Sequence, residues 1–325
     1  MAEAKKFKIT QSVVLVSVIV ALAIVATIVN PRFLRVNNLL NILQQVAVLG
    51  IIASGVGMLL VSGQVDISVG AQVSLMGVIM AMIIQEMLGL PEGNVAPWRE
   101  VWAIPIAVVV TLLLGLLMGF INGLTVVKSK AHSLILTIGF MTVYEGVAIL
   151  ISGGASFMLF GRFETIGQGQ LFGIIPYTVL VFLAIIVITH LVLTYMRYGR
   201  FLYAIGGNSK AAYVSGIDTA GNQITAYVVV GLLNAVATIL LISRVGSALA
   251  TTGSGYALDA LAAVIVGGVS ILGGRGKALG MFLGVLLIGL IGNALVIMNV
   301  NPHVRGVVIG LVIIAAVTVG EATEE

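Results

Sequence analysis

Apolar runs of about twenty residues recur along this chain with only short polar breaks, and that is the length an α-helix needs to cross a bilayer. They lie at 12–29, 44–63, 69–88, 102–124, 133–151, 175–195, 223–243, 257–272, 278–297 and 303–320. The runs predict about ten crossings within one membrane domain spanning 1–325, an all-α polytopic membrane protein. A transmembrane barrel is excluded, because its strands alternate apolar and polar residues over segments of about ten. Composition agrees. Only 9% of the residues are charged and 60% are hydrophobic, where a soluble domain carries roughly 25% charged residues.

The charges that remain speak of topology. The net charge of +4 comes from scattered Lys and Arg, so a nucleic-acid surface is not implied, while the apolar runs imply contact with membrane lipid. With the N-terminus in the cytoplasm, the inner segments hold Lys5, Lys6, Lys8, Lys128, Lys130, Arg197, Arg200, Lys210, Arg275 and Lys277. The outer segments then hold Arg32, Arg35, Arg99, Arg162, Arg244 and Arg305. That bias favours both termini inside. The first run continues past Ala21-Leu22-Ala23, a small-x-small pattern, and therefore reads as an uncleaved anchor. The chain has no cysteine, which excludes disulfides and thiolate chemistry.

Two stretches interrupt the apolar pattern. In Ser62–Gly70 (SGQVDISVG), glycines bracket Gln64, Asp66 and Ser68; in Thr252–Val264 (TGSGYALDALAAV), Asp259 opens a run. The breaks follow the second and seventh runs, five crossings apart. An odd number of crossings puts corresponding elements in opposite orientation, so the pattern predicts an inverted repeat with a solute pathway at its interface. Acidic groups at membrane depth cost several kcal/mol and are functional candidates by default. Asp66, Ser68 and Asp259 either cap a helix or border the pathway. Glu145 sits mid-run in FMTVYEGVAIL and has three readings: pairing with another helix, lining the pathway, or binding a proton. Gly115, Gly119 and Gly123 form a stripe for close helix contact.

Catalytic patterns are missing. In VGGVSILGGRGKALG (266–280), Ile271 stands where a phosphate loop needs Gly, and Ala278 replaces its hydroxyl residue. His132, His190 and His303 are far apart, so no metal site is predicted, and no serine lies in GxSxG. The chain therefore reads as no enzyme in its own right. The polar connection at 196–222 is long enough to have a task of its own.

Three segments resemble the monosaccharide permeases of ABC importers, the ribose, galactose and xylose type: NNLLNILQQVAVLGIIASGVGMLLVSGQVDISVG (37–70), IGGNSKAAYVSGID (205–218) and GYALDALAAVIVGGVSILGGRGKALG (255–280), with Asn301-Pro302 following in family order. The resemblance implies a permease subunit in a bacterial cytoplasmic (inner) membrane. It also implies a second permease subunit, identical or different, a cytoplasmic ABC ATPase that uses the ATP, and an extracytoplasmic solute-binding protein. No cofactor is then bound by this chain. Gly206, Gly207, Asn208, Ala211, Ala212, Ser215 and Gly216 resemble the cytoplasmic element that couples to the ATPase. Asp66, Ser68 and Asp259 would lie near the pathway, with Gln44, Gln45, Gln64 and Asn293 as further hydrogen-bonding candidates. One departure stands out: the family commonly carries an Arg-Gly pair in its fifth span, where this chain has Glu145. The rival reading is an ion-coupled secondary carrier, supported by the same inverted repeat and by Glu145.

Overall fold

The computed structural model describes residues 11–301 apart from 94 and 130, together with 304, 306–312, 314 and 318. Helix α1 (Gln11–Val29) leads through a 3₁₀ turn (Pro31–Leu34) into α2 (Val36–Val61), α3 (Val69–Leu88), α4 (Pro97–Ser129) and α5 (Ser133–Ser152). A connection with strand β1 (Phe157–Met158), the single turn α6 (Thr165–Gln168) and the hairpin β2 (Gln170–Leu171) and β3 (Ile175–Pro176) leads to α7 (Tyr177–Tyr195). Two short helices, α8 (Arg197–Gly207) and α9 (Ser209–Val214), precede α10 (Thr219–Val245), strand β4 (Ser247–Ala248), α11 (Tyr256–Val266) and α12 (Ala278–Ile297).

Among the described residues eight helices are long and apolar enough to cross a membrane: α1 to α5, α7, α10 and α12. The run expected over 257–272 differs. Helix α11 stops at Val266, and the Gly-rich residues 267–277 form a loop instead. At about 1.5 Å per residue, its 11 residues reach roughly half of a ~30 Å hydrocarbon layer. The run beginning at 44 is longer than expected, because α2 already starts at Val36. Within 303–320, residues 303, 305, 313, 315–317, 319 and 320 lie outside the described residues, as do Lys5, Lys6, Lys8 and Lys130.

Helix α2 is the axis of the bundle, with 83% of its apolar span buried against 11% for α1 and 17% for α5. It packs on α7, α10, α11 and α12. Helix α10 runs antiparallel to it: the Tyr227 hydroxyl donates to the Val65 carbonyl at 3.2 Å, while Val230 and Leu233 lie over Gly55. The bundle has two ends. At one, the chain after α2 meets α8 and the loop 267–277, where the Gly274 N–H donates to the Val61 carbonyl at 2.8 Å. At the other, β1 pairs antiparallel with β4, and Gln168 Nε2 donates to the Arg244 carbonyl.

Inside lipid, apolar surface gives helices no reason to associate, so close backbone packing has to hold them. Helices α4 and α10 do this through the Gly115, Gly119 and Gly123 stripe. A Cβ at Gly115 would run into the Gly231 carbonyl and lie 2.7 Å from Ala235 Cβ. One at Gly119 would meet the Tyr227 carbonyl and stand 2.9 Å from Val228 Cα. Because the obstacles are backbone, no rotamer change relieves them. Gly119→Ala should therefore destabilise the purified protein by about 1–3 kcal/mol. Ile121→Ala, two residues on and exposed on the outside of α4, should stay within about 0.5 kcal/mol. Calorimetric unfolding in detergent measures both.

Candidate functional site: the two membrane breaks

Between α2 and α3 the chain leaves its helix for Ser62–Ser68, inside the bundle rather than on its surface. In a membrane, non-helical backbone persists only where protein or cavity water satisfies it. Here helix α5 supplies partners: the Val65 N–H donates to Ser133 Oγ at 3.2 Å, and the Ile67 N–H to Thr137 Oγ1 at 3.3 Å. Asp66 is buried and is the hub. Its Oδ1 accepts from the Ser68 N–H at 2.8 Å and from the Ser68 hydroxyl at 2.6 Å. Its Oδ2 accepts from Gln72 Nε2 on α3 and Asn122 Nδ2 on α4, both at 3.2 Å.

The network extends outward from this hub. The same two amides donate to Ser68 Oγ at 2.9 Å. The Tyr144 hydroxyl on α5 donates to Asn122 Oδ1 at 2.7 Å, and Asn234 Nδ2 on α10 donates to Gln72 Oε1 at 2.8 Å. Four helices thus converge on one carboxylate, leaving Asn234 Oδ1 without a donor. Ser68 occupies the N-cap of α3, yet its hydroxyl donates to Asp66 instead of accepting from the helix backbone. Gln72, Asn122, Tyr144 and Asn234 were not picked out from the sequence. Their only signal was an amide or hydroxyl at membrane depth.

The second break, 249–255, descends from β4 to the start of α11 and crosses the start of α3. The Gly253 N–H donates to Ser74 Oγ at 2.9 Å, and a Cβ at Gly70 would press on the Gly253 carbonyl at 2.6 Å. The two breaks therefore touch. Beside them a cavity of ≈ 380 Å³ is lined by Gln45 of α2, Thr252, Ser254 and Gly255 of the break, Tyr256 and Asp259 of α11, and Gly289 of α12. Asp259 lies in the first turn of α11, where the helix dipole favours a carboxylate. Its neighbours supply hydroxyl and amide groups, suited to a polar, multiply hydroxylated ligand.

The other sequence candidates are dispersed. Asn293 forms a reciprocal amide pair with Asn38, at 3.1 and 3.0 Å, tying α12 to α2. Gln64 borders a separate cavity at the end of the bundle where Gly206, Gly207 and Asn208 lie, and Gln44 lines neither. Glu145 is exposed on α5, away from both.

At that end, Gly63, Gly206 and Gly273 form a knot of backbone. A Cβ on Gly206 would overlap the Val61 carbonyl, and one on Gly273 would sit 2.7 Å from Gly63 Cα. Gly63 and Gly273 also have φ of +76° and +89°, which side chains rarely tolerate. The Tyr203 hydroxyl of α8 adds a 2.7 Å bond to the Gly276 carbonyl. Next to the knot, Asn208 caps α9 by accepting from the Ala211 N–H at 3.0 Å. Ala212 is buried, the Ser215 hydroxyl returns to the Ala211 carbonyl, and Gly216 turns the chain at φ +84°. These residues frame an apolar tip, Tyr213 and Val214, that is 71% and 85% exposed.

A family model described as "Branched-chain amino acid transport system / permease component" matches residues 38–317, which takes in both breaks, the knot and the tip. The chain belongs to this permease family. The permease is 38% identical to the ribose import permease of Bacillus subtilis, over 91% of this chain and 88% of that one. It is 34% identical to the ribose import permease of Escherichia coli K12, over 94% and 92%, and 35% identical to the galactose/methyl galactoside import permease of the same organism, over 92% and 91%. No solved structure matches the permease. The three segments singled out in the sequence resemble these same import permeases.

Removing the hub tests what it does. Asp66→Ala leaves the Ser68, Gln72 and Asn122 donors facing a void and should destabilise the permease by about 2–4 kcal/mol. Asp66→Asn, which keeps an acceptor for Ser68, should recover about half of that loss. Thermal unfolding in detergent reads both.

Proposed function

We propose that this permease is the membrane-spanning subunit of an ABC importer that moves a monosaccharide inward, powered by a separate ATPase. The relatives named for ribose and galactose import support the solute class, and so does the chemistry of the cavity. Sugars are bound through hydroxyl groups, and Gln45, Thr252, Ser254, Tyr256 and Asp259 offer donors and acceptors at one place. The solute passes along this cavity, at the seam of two inverted halves, with α2–break–α3 in one and α10–break–α11 in the other.

The observation that carries the energy coupling is the glycine knot. At Gly206 and Gly207, helix α8 meets Val61 at the end of α2, Gly63 of the first break and the loop after α11 backbone to backbone. Backbone contacts have no rotamers to absorb a displacement, so a push on α9 passes through α8 to the first break and to the loop after α11. The ATPase docks on Tyr213 and Val214, whose exposure at the tip matches the apolar anchors that dominate protein interfaces. In this orientation the tip and both termini face the cytoplasm, and the β1–β4 end receives the extracytoplasmic binding protein.

Replacing both Tyr213 and Val214 by Ser should weaken ATPase binding about tenfold or more without altering the fold. Binding in detergent and ATP-dependent sugar uptake in proteoliposomes read the effect. Asp259→Asn should lower uptake while leaving ATPase binding intact. Uptake that persists without the ATPase and collapses when a proton gradient is discharged would replace this reading with an ion-coupled carrier.

A further inference from the structure

The second cavity, ≈ 450 Å³, lies against the glycine knot and is larger than the one beside Asp259. Its volume falls within the range of about 300–1,000 Å³ that small-molecule sites occupy. Gln64 of the first break, Asn208 and Ser209 at the junction of α8 and α9, and Gln223 in the second turn of α10 line it. Val126 of α4 and Leu272 of the loop 267–277 add apolar wall. No charged side chain is among the described residues of the lining.

The polar groups here are uncommitted, unlike those around Asp66. Gln64 and Gln223 are half-buried, and neither side chain has a hydrogen-bond partner among the described residues. Nearby, the amides of Gln72 and Asn122 are both engaged by the Asp66 carboxylate. Asn208 commits its Oδ1 to the Ala211 N–H, which leaves both of its amide donors. Half-buried amides without a protein partner take their hydrogen bonds from whatever fills the cavity. A Cβ at Gly207 would meet nothing within 4 Å, so the wall there borders open space.

We infer that this cavity binds a neutral, multiply hydroxylated solute, and that the bound solute holds α8 and α9 against the first break. Amides and hydroxyls both donate and accept, which matches the hydroxyls of a sugar, while Val126 and Leu272 suit its C–H face. An anionic solute is disfavoured, since Lys128 and Lys210 are exposed and outside the lining. This cavity and the one beside Asp259 share no lining residue. Gly63, Gly207, Asn208 and Ser209 are exposed, so the site opens to water and binds weakly, in the millimolar range. It fills only when solute is abundant on that side. A solute bridging Gln64 and Asn208 straddles the joint that the knot forms, and hydrogen bonds weaken steeply as their geometry departs from ideal. The solute therefore favours this arrangement of the joint over any other and stabilises it. In the importer reading, on which this consequence rests, sugar accumulated in the cytoplasm slows its own uptake. The binding itself does not rest on that reading.

The chain has no cysteine, so one introduced thiol reports on the cavity without background. Ala131 lines the cavity and Tyr213 does not. In the full chain purified in detergent, D-ribose at about ten times its dissociation constant should slow maleimide labelling of Ala131→Cys about tenfold. Labelling of Tyr213→Cys should not change. Adding Gln223→Leu, which removes no bond from the fold, should abolish the protection, and Gln64→Leu should weaken it. Asp259→Asn, in the other cavity, should leave it intact. An unprotected thiol at 131, protection that survives Gln223→Leu, or protection lost in Asp259→Asn would overturn the site. Ribose 5-phosphate protecting better than ribose would overturn its neutral class. Right-side-out membrane vesicles preloaded with unlabelled D-ribose at the dissociation constant should take up labelled ribose at about half the initial rate of empty vesicles. Gln223→Leu should remove that difference, and equal rates in the parent would overturn the feedback. Vesicles with no ATP-driven uptake at all would overturn the importer reading instead, and would leave the labelling result untouched.

Discussion

A chain that abandons its helix inside a bilayer must bring its own hydrogen-bond partners, since the hydrocarbon has none. Asp66 is how this protein does it. One buried carboxylate accepts four bonds, from its own break, from α3 and from α4, and through Asn122 it holds Tyr144 of α5 as well. Without those bonds the extended backbone at 64–67 has no stable place between helices. The second break then has no surface to cross, because Gly253 rests on Gly70 and Ser74 at the start of α3. The cavity beside Gln45 and Asp259 is lined by Thr252, Ser254 and Gly255 of that second break.

The same carboxylate sorts the polar residues by role. Asp66 and Ser68 have their hydrogen-bonding capacity engaged inside the protein, and Asn293 is engaged by Asn38. Gln45 and Ser254 instead border open space, in a cavity that Thr252 and Asp259 also line. Polar atoms committed to the fold and polar atoms turned toward a cavity thus occupy neighbouring positions, separated by the crossing of two glycines. Glycine has a similar double use. Where backbone meets backbone, as at Gly206 and Val61, it makes a close joint with no side chain between. Where a helix turns an open glycine outward, as at Gly139 and Gly146, it leaves room for a neighbour.

Helix α3 and helix α12 were legible from hydropathy to the residue, and the Gly115, Gly119 and Gly123 stripe was legible as a contact surface because its interval matches the helical period. Helix α11 was not: its apolar pattern runs on through Val269 and Ile271, and only the glycines at 267, 268, 273 and 274 mark where the helix gives way to loop. The segment 205–218 was singled out by its resemblance to known permeases. Its exposed apolar tip, Tyr213 and Val214, was passed over, since exposure cannot be read from a linear pattern of apolar residues.

The sequence by itself determined that this is an all-α membrane protein, where its helices interrupt, and which family of permeases it belongs to. These follow from run length and local motif, properties that neighbouring residues carry among themselves. Only the tertiary structure decided that Asp66 would be met by Asn122, 56 residues away, that Gln72 would be met by Asn234, 162 residues away, and that Glu145 would lie exposed on α5. A hydrogen bond depends on the distance between atoms, and in a bundle of antiparallel helices that distance is set by which faces pack, not by how many residues lie between.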